Sequence, residues 1–98
     1  MINVAINGFG RIGRLVLRAG ITNPNIKFVA INDLCDPGIM AHMLRYDSVH
    51  GPFRHELMAY EKTIQANGQD IQIFGEREPE KLPWRDLGVD VVIEATGC

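Results

Sequence analysis

Three glycines near the amino terminus stand at the spacing G-x-G-x-x-G, within Asn7-Gly8-Phe9-Gly10-Arg11-Ile12-Gly13. Glycines so spaced can cradle a pyrophosphate. The first permits a tight turn, the second lets the backbone approach the phosphates, and the third lets a helix pack closely on a strand. Asp33 follows 20 residues after Gly13, the separation at which the second strand of a βαβ unit presents an acid to ribose hydroxyls. Together these residues predict a dinucleotide site. A carboxylate on the ribose 2′-hydroxyl repels a 2′-phosphate, and Leu34, next in the chain, brings no cation to neutralise one, so NAD is favoured over NADP. Glycines at this spacing also occur in loops that bind nothing, and Asp33 also fits a solvated turn before Leu34-Cys35-Asp36-Pro37-Gly38. The elements around them must decide.

Those elements agree with the site. Ile2-Asn3-Val4-Ala5-Ile6 is a short apolar strand leading into the glycines. After them, Ile12, Leu15, Val16 and Ala19 fall at i, i+3, i+4 and i+7, the period of a helix lying on a sheet. Thr22-Asn23-Pro24-Asn25 turns the chain, and Ile26 to Ile31 forms a second apolar run, which completes a parallel βαβ crossover. Asp36-Pro37-Gly38 starts a second helix, with a capping acid and a first-turn proline, that carries Ile39, Met40, Met43 and Leu44 inward. Tyr46-Asp47-Ser48-Val49-His50-Gly51-Pro52 then ends it in a polar loop. From Phe53 to Phe74 the pattern is one of short strands, with Asn67-Gly68 joining Lys62–Ala66 to Gln69–Phe74 as a hairpin. Leu82 to Leu87 reads as a helical turn anchored by Trp84. Val89 to Glu94 reads as a buried parallel strand that delivers Ala95-Thr96-Gly97 beside the glycine turn. The prediction is an α/β fold: a Rossmann-type doubly wound parallel sheet with an antiparallel hairpin insertion, forming one domain over residues 1–98. It is expected to be truncated, because the last strand lacks a following neighbour.

Composition narrows the partners. A formal charge of -2, with basic and acidic residues interspersed, offers no field for nucleic acid or anionic lipid. No apolar stretch approaches the ~18 residues of a membrane span, and the first apolar run lacks the basic flank of a signal peptide; a cytoplasmic protein is expected. Cys35 and Cys98 form no C-x-x-C and read as reduced thiols, with neither a disulfide framework nor a zinc site. His42, His50 and His55 show no ligand spacing, so no metal is implied. Cys98 lacks the neighbouring base that a nucleophile requires.

Taken in order, several segments resemble the start of the glyceraldehyde-3-phosphate dehydrogenases. They are Asn-Gly-Phe-Gly-Arg-Ile-Gly-Arg at 7 to 14, Ala-Ile-Asn-Asp at 30 to 33, Tyr-Asp-Ser-Val-His-Gly at 46 to 51, Leu-Pro-Trp at 82 to 84 and Gly-Val-Asp-Val-Val-Ile-Glu-Ala-Thr-Gly at 88 to 97. The resemblance runs over essentially the whole chain. It implies the NAD-binding part of a cytoplasmic, homotetrameric glycolytic enzyme that oxidises an aldehyde phosphate through a thioester. It further implies that the Arg11 and Ile12 amides hold the pyrophosphate and that Asp33 holds the adenosine ribose, with Asn32 adjacent. Arg77 would contact the adenine side, although a solvated charge between Glu76 and Glu78 fits it nearly as well. Thr96 and Gly97 would line the path toward the nicotinamide. Tyr46, Asp47, Ser48 and His50 fit either a capped loop or a region near subunit contacts. The family's nucleophile segment, Ser-Cys-Thr-Thr-Asn, does not occur here, so no catalytic residue is assigned and no turnover is expected from these residues alone. Two alternatives stand beside this reading. One is erythrose-4-phosphate dehydrogenase, which shares the Met-Ala-His-x-Leu found at Met40 to Leu44 but tends to place Glu where Asp33 stands. The other is a non-catalytic NAD-binding module.

Overall fold

A computed structural model describes residues 1–46 and 51–95. Among the described residues, six strands form one mixed sheet flanked by two helices. In chain order they are β1 (Ile2–Asn7), α1 (Arg11–Gly20), β2 (Ile26–Asn32), α2 (Pro37–Arg45), β3 (Leu57–Ala59), β4 (Thr63–Ala66), β5 (Gln69–Phe74), a 3₁₀ turn (Pro79–Lys81) and β6 (Val91–Glu94). The strand order is β3-β4-β5-β2-β1-β6. The pairs β1/β2, β1/β6 and β2/β5 are parallel, whereas β3/β4 and β4/β5 are antiparallel. This is the expected Rossmann-type βαβ unit, with the hairpin joined to the sheet through β5. Because β2 lies on one side of β1 and β6 on the other, the strand order reverses at β1, where such sheets open a ligand crevice beyond their carboxyl ends.

Alternation along the strands builds the core on one face of the sheet. Val4, Ile6, Phe28, Ile31, Ile64 and Ile71 pack there with Leu17 of α1 and with Met40 and Leu44 of α2. On the other face Phe74 meets Trp84 edge to face at 6.1 Å, so Trp84 anchors the connection between β5 and β6 as expected. The β4–β5 turn places Asn67 at φ 49° and Gly68 at φ 79°. Two successive positive φ values define a type I′ hairpin, which Asn-Gly favours.

Several expectations need correction. The inward face of α1 is Gly13, Leu17 and Gly20, whereas Ile12 is 65% exposed and Leu15 45%. A Cβ on Gly13 would lie 2.6 Å from the Gly8 carbonyl oxygen, and one on Gly20 would lie 2.8 Å from Phe28 Cζ. A side chain at either position would therefore force its neighbour or the helix itself to shift, so these two glycines are where α1 comes closest to the residues beneath it. In α2, Met40 and Leu44 are buried as expected, but Ile39 is half exposed and Met43 half buried. The final strand begins at Val91, not Val89, and is not buried: it pairs only with β1 among the described residues, and Val91 is 43% exposed. Cys35 is not a reduced thiol but is disulfide-bonded. Cys98 lies outside the described residues.

Candidate functional site

The glycine turn joins β1 to α1 at the carboxyl edge of the sheet. Gly8 has φ 96°, a conformation open to glycine and strained for other residues. Its N–H donates to the Asn32 carbonyl at 2.7 Å, which ties the turn to the end of β2. The Phe9 ring is fully buried in the core, so this residue presents only its backbone to the site. The Phe9 carbonyl accepts from Arg14 Nη1 at 3.1 Å. Gly10 is the N-cap of α1 and, having no side chain, makes no capping bond; no acid stands in the helix's first turn. The contrast with α2 is informative. There Asp36 caps the helix, Oδ1 accepting from the Ile39 N–H at 3.1 Å, with Pro37 in the first turn. The start of α2 is closed by its own sequence, whereas α1 opens its first-turn amides, those of Arg11 and Ile12 among them, at the mouth of the crevice. A helix start of this kind carries partial positive charge and attracts anions.

Asp33 lies directly beyond β2 and is 7% exposed. Its Oδ2 accepts from the Phe9 N–H at 2.5 Å and its Oδ1 from the Cys35 N–H at 3.0 Å. Its own N–H donates to the Phe74 carbonyl at 2.8 Å. A solvated turn residue would not be held in this way. The carboxylate clamps the glycine turn to the end of β2, a structural duty that spacing alone does not reveal. An ionised carboxyl group offers about four lone-pair directions, and the two amides use one on each oxygen. Leu34 beside it is 61% exposed and apolar.

Asn7 and Asn32 end the paired strands β1 and β2 side by side, with Asn32 Nδ2 donating to Asn7 Oδ1 at 2.9 Å. The backbone N–H of Ala95 donates to the Asn7 carbonyl at 2.8 Å, so the exit of β6 is fixed beside the turn. Arg77 is exposed in the segment after β5. The carboxylates on either side of it have other partners: Glu78 Oε2 pairs with Lys81 Nζ at 2.8 Å, and Glu76 Oε1 accepts from the Glu78 N–H at 3.1 Å. The structure therefore gathers Asn7, Gly8, Phe9, Gly10, Arg11, Ile12, Gly13, Asn32 and Asp33 around one edge, with Arg77 on the segment that leaves β5 there. Thr96 and Gly97 lie outside the described residues, as do Asp47, Ser48 and His50. Among the described residues no group of three or more His, Cys, Asp or Glu side chains is placed to hold a metal ion.

Comparison with known proteins gives a consistent picture. The family model described as the NAD-binding domain of glyceraldehyde 3-phosphate dehydrogenase matches residues 2–98. Glyceraldehyde-3-phosphate dehydrogenase 1 of Bacillus cereus is 52% identical over 97 residues, covering 99% of this chain and 29% of the relative. The Thermotoga maritima enzyme is 54% identical over 99 residues, covering 99% and 30%. That of Geobacillus stearothermophilus is 50% identical over 96 residues, covering 98% and 29%. The chain thus spans about three-tenths of the length of the curated relatives it matches.

Proposed function

Because this chain belongs to the glyceraldehyde 3-phosphate dehydrogenase family and corresponds to its NAD-binding domain, we propose that it supplies the adenosine and pyrophosphate half of the cofactor site in an enzyme that oxidises glyceraldehyde 3-phosphate. The observation that carries this reading is the uncapped start of α1, set over a glycine turn that Asp33 clamps in place. The Arg11 and Ile12 amides hold the pyrophosphate, where the helix dipole and two N–H groups converge on negative charge. The free lone pairs of Asp33 accept from the ribose hydroxyls. Gly13 keeps the helix close enough to the turn for both contacts to be made together, and Arg77 flanks the adenine. Thr96 and Gly97 continue the path toward the nicotinamide. When bound, NAD supplies the hydride acceptor.

We assign no bond-making step to these residues, since the chain contains no Ser-Cys-Thr-Thr-Asn segment and Cys35 is held in a disulfide. Oxidation of the aldehyde belongs, on this reading, to an intact homotetrameric enzyme of the cytoplasm. No helix among the described residues is long and apolar enough to cross a membrane.

Thermal unfolding of the chain with NAD, and separately with NADP, tests the assignment. A ligand at a hundredfold excess over its dissociation constant stabilises the folded state by about 2.7 kcal/mol, equivalent to roughly 10–20 °C in Tm for a domain of this size. NAD is expected to produce that rise and NADP a much smaller one. Equal rises would refute the role of Asp33, and no rise with either would refute the site.

A further inference from the structure

Four residues form a polar row across the carboxyl edge of the sheet. At one end Asn7 Nδ2 donates to Glu94 Oε2 at 2.8 Å, and Asn32 Nδ2 donates to Asn7 Oδ1 at 2.9 Å. On its other side Asn32 meets the main chain of Glu76 in both directions. The Glu76 N–H donates to Asn32 Oδ1 at 2.8 Å, and Asn32 Nδ2 donates to the Glu76 carbonyl at 3.0 Å. A side-chain amide has two N–H donors and one acceptor oxygen, so both donors and one lone pair of Asn32 are engaged within the protein. The residue is 5% exposed.

Two-way bonding to a backbone is how one strand holds another. The regular pairing of β2 with β5 ends at Asn32 and Phe74; the Asn32 side chain takes it one step further, to Glu76. Arg77, the next residue, is exposed. An arginine rooted in a loose segment must lose both backbone and side-chain freedom when it meets a ligand, whereas one rooted in a fixed segment loses less.

We propose that Asn32 is a positioning residue: it fixes the main chain at Glu76 and through it aims Arg77 at the adenosine half of the cofactor, without touching the cofactor itself. This rests on the assignment of Arg77 to the adenine side, so the test must separate the two. Adenosine diphosphate ribose serves as the probe, titrated calorimetrically into the full chain and into the Asn32→Ala, Arg77→Ala and doubly substituted forms. Each single change is expected to weaken binding about tenfold, the scale of one charge-assisted hydrogen bond, and the double change no more than the worse single one. A role confined to stability would lower the Tm of Asn32→Ala without coupling it to Arg77. If the losses multiply, or if Asn32→Ala binds normally, the inference is overturned while the Arg77 assignment stands. If Arg77→Ala binds normally, the assignment fails and the inference with it. Absence of binding by the unsubstituted chain overturns both. Should Asn32→Ala melt below the assay temperature, Asn32→Asp carries the same test, since it keeps the shape and the acceptor for the Glu76 N–H but removes the donors.

Discussion

Replacing Gly13 with alanine probes the contact on which the proposed site depends. The added Cβ would lie 2.6 Å from the Gly8 carbonyl oxygen and 3.1 Å from Ile6 Cγ2, where ordinary contacts begin at 3.4 Å. Relieving the first requires about 0.8 Å of relative movement, enough to carry an N–H···O bond of ordinary length beyond its useful range. The carbonyl cannot yield freely, because the N–H of the same residue is bound to Asn32, so α1 must lift and take its first-turn amides with it. Overpacking of this kind costs about 1–3 kcal/mol, partly offset by up to about 1 kcal/mol of improved helix propensity. The net loss of about 1–2 kcal/mol lowers Tm by roughly 4–15 °C. Loss of one pyrophosphate contact should weaken NAD binding about tenfold or more. Gly20→Ala is the comparison. Its Cβ meets the Phe28 ring at 2.8 and 3.1 Å, and a ring can tilt; Phe28 also pairs with Val4, well back from the crevice. That variant should lose stability and bind NAD normally. Calorimetric melting and NAD titration of both proteins decide the matter. A Gly13→Ala protein that melts no lower than Gly20→Ala and keeps its NAD affinity would refute the reasoning.

Asp33→Asn preserves shape but turns an N–H group toward the Phe9 or Cys35 amide. It should cost about 1.5–3 kcal/mol of stability, the value of a hydrogen bond to a charged group, and narrow the preference for NAD over NADP; melting and paired titrations of the two cofactors read these effects. Gly68→Ala places a side chain at φ 79° with nothing within 4 Å of its Cβ, so only backbone strain of about 1–2 kcal/mol is expected. Because that turn lies at the amino end of β5, NAD affinity should not change, and a titration showing a change would link the hairpin to the site.

Much of this was legible in the residues. The glycine spacing located the turn, Asp36-Pro37 located the start of α2, and Asn67-Gly68 fixed a hairpin, because each depends on local backbone chemistry that residue type alone specifies. The rotation of α1 was not legible. Its closest contacts with the sheet are made at Gly13 and Gly20, which contribute nothing to a count of apolar residues, so the apolar period points Ile12 and Leu15 inward although both are exposed. The run from Val89 to Glu94 looks like a buried strand because it is apolar, but burial depends on neighbours, and β6 has β1 alone among the described residues. The polar row was hidden for a different reason. Asn7 and Asn32 are 25 residues apart and form no motif; only parallel pairing in a particular register brings their amides together.

That register depends on an irregularity in β2. Phe28 and Ile31 both face the core that contains Leu17, yet residues three apart in a regular strand point to opposite faces. The pairing shows how this is resolved: Val4 pairs with Phe28 but Ala5 pairs with Ala30, leaving Val29 as an extra residue in β2. Such a bulge shifts the rest of its strand by one position and reverses which side each later residue faces. Without it Asn7 would lie opposite Ile31. The Asn32 carbonyl would then sit one residue too far to receive the Gly8 N–H, and Asp33 would overshoot the Phe9 amide. The same extra residue therefore lets Ile31 enter the core and brings Asn32 and Asp33 level with the glycine turn. The break in alternation between Phe28 and Ile31, a flaw when the segment is read as a simple strand, is the mark in the sequence of how the carboxyl end of β2 reaches the site.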